Sequence, residues 1–383
     1  MLNSRRLMTR CLFLIIGCAI AAVTDAALAH PHHKELAAAE SGAPTPAPAG
    51  SEKIISGSGA FRYEYAPEKL ALPVEVRMRH GHGLCRDSEG HIYFTYEPEK
   101  VETDTRALVR FEPDGTSPVL LGSDNALARG VPHGLNIHVD KEGKAHLYHA
   151  NNDATVHKTT LDGTIEWTRK WPAFMGNYKP TDVVALPGSE NVIVADGYGS
   201  SMIHVLKQHD RVYAGNSWGG LGAAHGELNC PHGITFDPRR NLLLAADRGN
   251  KRLEYSTLNG LYHSTVESPQ ITTPCNADVW GNYVLVPNLD GPVLVLDQEN
   301  KVISVIEVGK LLGTQGFKHP HDAIWLANGD IVVCTWNPGR LGYWRRLPTA
   351  SSALAGRLSS AIGRWVGGAA LAACPPRREQ PGT

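Results

Sequence analysis

No charge of one sign dominates this sequence. Its 37 Lys and Arg residues balance 38 Asp and Glu, so it carries no basic footprint for nucleic acid or for an anionic membrane surface. Cysteine is scarce, at seven residues, and methionine scarcer, at five. Beyond Cys11 and Cys18, the remaining Cys85, Cys230, Cys275, Cys334 and Cys374 are odd in number and widely spaced, which is not a disulfide framework. One bridge is compatible with an exported chain, its pairing left open. The apolar run Cys11–Val23 falls short of the about 20 residues that a membrane helix needs. Between residues 78 and 345 there is also no sustained helical periodicity, which excludes helical repeats. What the chain has is 39 Gly, 25 Pro and 42% hydrophobic residues, the make-up of a packed, turn-rich protein rather than a disordered one.

The ends differ from the middle. Arg5, Arg6 and Arg10 precede the apolar run, and Ala27-Leu28-Ala29 follows it as a small-residue cleavage site. Residues 1–29 therefore read as an export signal, giving a secreted or periplasmic chain with no transmembrane segment once mature. Ile15-Ile16-Gly17-Cys18 also resembles a bacterial lipobox that would lipidate Cys18, but the apolar stretch continues past it. Residues 30–53, with His30, His32 and His33 followed by Ala, Pro, Gly and Ser, read as a flexible linker. Residues 54–347 form the folded domain, and 348–383, rich in Ala, Ser, Gly and Arg, an appendage.

A repeat organises the middle. His80-Gly81-His82-Gly83-Leu84, Pro132-His133-Gly134-Leu135, Pro180-Thr181-Asp182-Val183, Pro231-His232-Gly233-Ile234, Pro274-Cys275-Asn276-Ala277 and Pro320-His321-Asp322-Ala323 are alike. Each precedes a Gly- or Asp-containing turn and a β-rich run. The marked positions 82, 133, 181, 232, 275 and 321 lie 51, 48, 51, 43 and 46 residues apart. A period of about 40–50 residues built from short strands is the signature of a β-propeller with four strands per blade. Six units predict an all-β, six-bladed propeller. The alternating segment Phe61-Arg62-Tyr63-Glu64-Tyr65 is placed to complete the last blade and remove its open edge.

If the register is uniform, the six marked residues ring one end of the central channel. His133, His232 and His321 then fall on alternate blades, about 120° apart by the radial repetition of the fold, as a tripod around one point. A single histidine there would fill an inner layer or cap a strand. Three on alternate blades, each after Pro, point to a three-histidine metal site with an open position, the arrangement of a catalytic zinc ion. Asp322 would hold a hard cation such as calcium with the backbone carbonyl of Leu135, or hydrogen-bond a turn. Tyr198 and Arg248 each follow a strand and an Asp, in Ala195-Asp196-Gly197-Tyr198 and Ala246-Asp247-Arg248. The phenol would serve as acid or base if a nearby cation lowered its pKa, and the guanidinium would bind a carboxylate. Asp196 and Asp247 read as turn residues. His80, His82 and His319 enrich the same end, as substrate contacts or supports for the ligands.

These segments, with Tyr178-Lys179-Pro180-Thr181-Asp182-Val183-Val184, Gly226-Glu227, Cys230-Pro231-His232-Gly233 and Asp247-Arg248-Gly249-Asn250-Lys251-Arg252, resemble the peptidylglycine α-amidating lyase family within the NHL-repeat propellers. The resemblance covers about residues 128–345. It implies a zinc-dependent lyase that cleaves an N–Cα carbinolamide to an amide and glyoxylate. Zinc would lie on His133, His232 and His321, and calcium on Asp322 and the Leu135 carbonyl. Tyr198 and Arg248 would be the catalytic pair. The chain departs from the family at Gly199, Leu244, His82 and His319. A small-molecule or peptide substrate and a monomeric chain are expected. The alternative is a non-catalytic NHL propeller that binds a ligand or protein on its funnel face. A calcium-dependent hydrolase would call for a carboxylate-rich funnel, and this one is rich in histidine.

Overall fold

The computed structural model describes residues 53–100, 103–123, 126–171, 176–209, 212–312 and 317–349. The export signal read at 1–29, nearly all of the linker at 30–53 and nearly all of the appendage at 348–383 lie outside them. The described residues form a six-bladed β-propeller, with six separate antiparallel sheets.

Blade one comprises Met78–Arg86, Ile92–Pro98, Leu108–Phe111 and Val119–Leu121. Blade two comprises Pro132–Val139, Ala145–Asn151, Thr155–Thr159 and Ile165–Lys170. Blade three comprises Asp182–Ala185, Asn191–Asp196, Met202–Lys207 and Val212–Gly219. Blade four comprises Pro231–Asp237, Leu242–Asp247, Arg252–Ser256 and Tyr262–Val266. Blade five comprises Asp278–Trp280, Tyr283–Pro287, Val293–Leu296 and Val302–Ile306. In each, the first strand is innermost and the chain meanders outward.

Blade six is composite. Pro320–Trp325, Ile331–Thr335 and Arg340–Arg346 come from the end of the domain, and Phe61–Tyr65 and Ile55–Ser58 from its start. Phe61–Tyr65 pairs antiparallel with Arg340–Arg346, with Tyr65 opposite Trp344, so the ring closes as its alternating sequence predicts. Tyr63 is fully buried and its hydroxyl accepts a hydrogen bond from Trp325 Nε1 at 3.1 Å. The extra strand Ile55–Ser58 leans on blade five, where the Ser58 amide donates to Ser304 Oγ at 2.9 Å.

The core is not one mass but a layer between each pair of neighbouring blades. A blade's middle strands are covered on both faces and therefore read as continuous apolar runs rather than as alternation. Leu242–Asp247 and Ile331–Thr335 are buried at every position. Cys85, Cys230, Cys275 and Cys334 are buried free thiols. No described helix is long and apolar enough to cross a membrane.

Candidate metal centre in the funnel

The six marked residues do meet. His82, His133, Thr181, His232, Cys275 and His321 line one small cavity at an end of the central channel. His133, His232 and His321 are the second residues of their inner strands. In each case the ladder to the next strand slips at the histidine, between Pro132 and Leu135, Pro231 and Gly233, and Pro320 and Asp322. Blade one slips likewise between Gly81 and Leu84, around His82. In blade five the bridge between Pro274 and Asn288 is likewise one residue out of step with the pairing of Asp278 and Leu285, around Cys275. A bulge re-aims the side chain it contains, and here it turns four imidazoles toward the axis.

The ring centroids of His133, His232 and His321 form a nearly equilateral triangle, with separations of 4.8, 4.8 and 4.7 Å. All three residues are buried. Each donates its Nδ1–H to the backbone carbonyl at the marked position of the next blade. His133 bonds Thr181 at 2.6 Å, His232 bonds Cys275 at 2.8 Å, and His321 bonds His82 at 3.1 Å. A carbonyl can only accept, so the proton of each neutral ring is fixed on Nδ1 and the Nε2 lone pair is the one that can bind a metal. This donor set fits a divalent transition-metal ion.

His82 belongs to the same cluster, with its centroid 4.6 Å from that of His133 and 4.9 Å from that of His321. The ligand nitrogens of His82, His133 and His321 all lie within 4.8 Å of one another. His82 and His232 therefore compete for the third place beside His133 and His321. The tautomer argument favours His232, because its Nδ1 is tied to a carbonyl like the other two. His82 has no such tie. Its Nε2 lies 3.9 Å from Glu97 Oε2, and that oxygen also meets His80 Nδ1 at 2.8 Å. Burial pushes the Glu97 carboxyl up, but His80 and His82 outweigh it and hold the group far below its usual range. Glu97 carried no sequence signal. It faces His80 across the pair of inner strands, and that register is visible only once the strands are paired.

Tyr198 and Arg248 reach the histidines together. The Tyr198 hydroxyl lies 2.9 Å from His232 Nε2 and accepts a hydrogen bond from Arg248 Nη2 at 3.1 Å. The guanidinium carbon sits 5.2 Å from the phenol ring centroid, a cation–π contact. Arg248 opens a single 3₁₀ turn, Arg248–Asn250, after the strand Leu242–Asp247. The Asp residues before the pair shape its turns. Asp196 accepts from the Lys179 and Ser200 amides at 2.6 and 2.7 Å. Asp247 accepts from the Asn229 amide and from Arg252 Nε at 2.7 and 2.8 Å. Arg248 acts on the phenol in the direction expected of a neighbouring cation, but it is outweighed. Burial raises the Tyr198 pKa, and the opposing Arg248 charge does not compensate. Tyr198 is therefore a phenol with its proton in place.

Asp322 lies under the histidine ring. Its Oδ2 accepts from the Leu84 amide at 2.8 Å, and its Oδ1 from the Ala323 amide at 2.8 Å and Asn276 Nδ2 at 3.1 Å. Burial, with Asp182 nearby, pushes this carboxyl well up. Asp322, Asn276 and Leu135 line a second cavity of about 320 Å³ further along the channel. His319 stands apart from His82. Its Nδ1 bonds the Leu289 carbonyl and Asp290 Oδ1 at 3.2 and 3.1 Å, and its side chain is 30% exposed. It adopts a left-handed φ of 61° just before Pro320. Of the histidines that enrich this end, His82 is thus a ring member and His319 a rim residue.

No family model matches the chain. Over 218 residues it is 28% identical to the peptidyl-alpha-hydroxyglycine alpha-amidating lyase 1 of Drosophila melanogaster, which covers 50% of this chain and 40% of that protein. The chain thus spans less than half the length of this curated relative. Among solved structures, a streptogramin B lyase superimposes with a TM-score of 0.50 at 11% identity, over 75% of this chain and 99% of the other. A virginiamycin B lyase from Staphylococcus aureus gives 0.47 at 13%, over 71% and 85%. The streptogramin B lyase match supports the propeller fold and nothing finer.

Proposed function

We propose that this chain is a zinc-dependent lyase of the amidating type, acting on a peptide or small molecule that carries an α-hydroxyglycine-like carbinolamide. The observation that carries this reading is the threefold repetition of Nδ1–H to inter-blade carbonyl bonds at His133, His232 and His321. Strand caps or core fillers have no need of three identical tautomers whose ring centroids stand 4.7–4.8 Å apart. A zinc ion held by the three Nε2 atoms would polarise an oxygen ligand and ease loss of its proton.

The remaining chemistry falls to the chain. In the proposed reaction the substrate hydroxyl loses its proton, the N–Cα bond breaks, and the departing amide nitrogen gains a proton. Tyr198, protonated and within reach of the ring, is the residue placed to carry that proton. Arg248, fixed against the phenol, offers its other guanidinium edge to the glyoxylate carboxylate. Asp322 and the Leu135 carbonyl would hold a calcium ion that ties blade six to blade two. Residues 1–29 would direct the chain out of the cytoplasm.

The test is glyoxylate release from a peptidyl-α-hydroxyglycine by the zinc-loaded protein. Release above the uncatalysed rate, abolished in His232→Ala, supports the lyase. Bound zinc without release favours a propeller that binds a ligand or protein on its funnel face. Absence of any transition metal at the three histidines sinks both the metal and the mechanism.

A further inference from the structure

One cluster near the ring has no place in the proposed reaction. His80 and His82 alternate along the inner strand of blade one, and Glu97 on the next strand is the cross-strand partner of His80. The three side chains bring one nitrogen or oxygen ligand atom each within 4.8 Å of one another. His80 Nδ1 and His82 Nε2 lie 2.8 and 3.9 Å from the same carboxylate oxygen, Glu97 Oε2. Ligands around an ion with bonds of about 2.1 Å lie about 3.0–3.4 Å apart, so the observed spacings bracket that range.

A plain His80–Glu97 ion pair does not account for the third member. The His82 side chain is completely buried, and neither of its ring nitrogens has a hydrogen-bond partner. Buried polar atoms are ordinarily satisfied, and an imidazole nitrogen aimed at a carboxylate and a second imidazole is satisfied by a cation. His80 is steadied from behind by Trp336, with centroids 4.9 Å apart. Its side chain is 19% exposed and that of Glu97 14%, which leaves an entry path for an ion on the solvent side.

We propose that His80, His82 and Glu97 form a second metal site, for a divalent first-row transition ion, on blade one beside the His133–His232–His321 ring. Two imidazoles and one carboxylate on one face leave coordination positions open for an oxygen ligand. The site shares no ligand with the His133–His232–His321 ring, although His82 stands 4.6 Å from His133 by ring centroids.

The test counts ions. The full chain, with His30, His32 and His33 changed to Ala so that the N-terminal histidines do not contribute, is stripped with chelator, loaded with Zn(II), desalted and analysed for bound metal. The expected result is two ions per chain, falling to one in Glu97→Gln, one in His80→Ala and one in His232→Ala. Thermal melting checks that each variant is folded. A single ion that is lost in Glu97→Gln but kept in His232→Ala also supports this site, and it sinks the ring instead. A parent chain with no ion overturns the proposal. So does any count that Glu97→Gln and His80→Ala leave unchanged.

Discussion

The Nδ1–H of His321 donates to the backbone carbonyl of His82 at 3.1 Å, joining the last blade to the first at the candidate metal centre. The same bond links His133 to Thr181 and His232 to Cys275. Ring closure and ligand orientation are thus one set of contacts. Removing any one imaginable ligand should therefore weaken metal binding steeply. His133→Ala, His232→Ala and His321→Ala are each expected to lower zinc affinity by more than about 100-fold, the upper range for a mere supporting residue. Competition against a chromogenic chelator measures this, and an unchanged affinity in all three rules out the ring as a site.

Tyr198 and Arg248 should separate chemistry from binding. Tyr198→Phe keeps the ring packing but removes the proton, and is expected to cut turnover about 10²–10⁴-fold with zinc content unchanged. Arg248→Lys loses the fork against the phenol and should raise KM for a carboxylate-bearing substrate. Steady-state kinetics on the zinc-loaded protein decide both.

Gly134 sits beneath Asp182. A Cβ there would lie 2.6 Å from Asp182 Cα and 2.7 Å from the Thr181 carbonyl oxygen, and closer still to Asp182 Oδ1. That oxygen of Thr181 is the one His133 uses. Gly134→Ala should wedge blades two and three apart, costing about 1–3 kcal/mol and weakening zinc binding at the same time. Urea unfolding with and without metal would show the two losses together.

Tyr63 measures the closure of the ring. It is fully buried in a strand from the start of the domain, and Trp325 Nε1 donates to its hydroxyl. Tyr63→Phe should cost about 1 kcal/mol for the lost hydrogen bond, and Tyr63→Ala about 3–5 kcal/mol for the cavity as well. Equal losses in the two variants would mean that the hydroxyl, not the ring, carries the clasp.

Asp182 predicts a pH dependence. Burial raises its carboxyl to about 7, while Oδ2 accepts the Ile234 amide of blade four at 2.9 Å. The fold favours the neutral acid, so the stability this group contributes is full below about pH 4 and lost as the pH rises through about 7. Asp182→Asn has no such titration. In the presence of chelator, wild-type stability should fall relative to Asp182→Asn by about 4 kcal/mol between pH 4 and 8. A difference that is flat with pH refutes the raised carboxyl.

Much of the fold and part of the site were legible in the chain. The recurrence of Pro-His, Pro-Thr and Pro-Cys pairs, with Gly81-His82 in their place in blade one, marked the inner end of each blade, because each blade solves the same packing problem and repeats its punctuation. Phe61–Tyr65 was legible as the closing strand because it alternates. The bulges at Pro132–Leu135, Pro231–Gly233 and Pro320–Asp322 were not legible, since a slip belongs to two strands at once. Nor was Glu97, a polar residue among many until pairing sets it opposite His80.

The sequence by itself determined the propeller, its six units and the placement of three histidines on alternate blades, because periodicity is a one-dimensional property that survives without coordinates. Only the tertiary structure decided which nitrogen each ring histidine leaves for a metal, that His319 stays at the rim, and that burial raises the Tyr198 pKa. Those outcomes depend on carbonyls contributed by neighbouring blades and on burial between them. Both arise only when segments some 50 residues apart, or 239 apart for His321 and His82, are brought into contact.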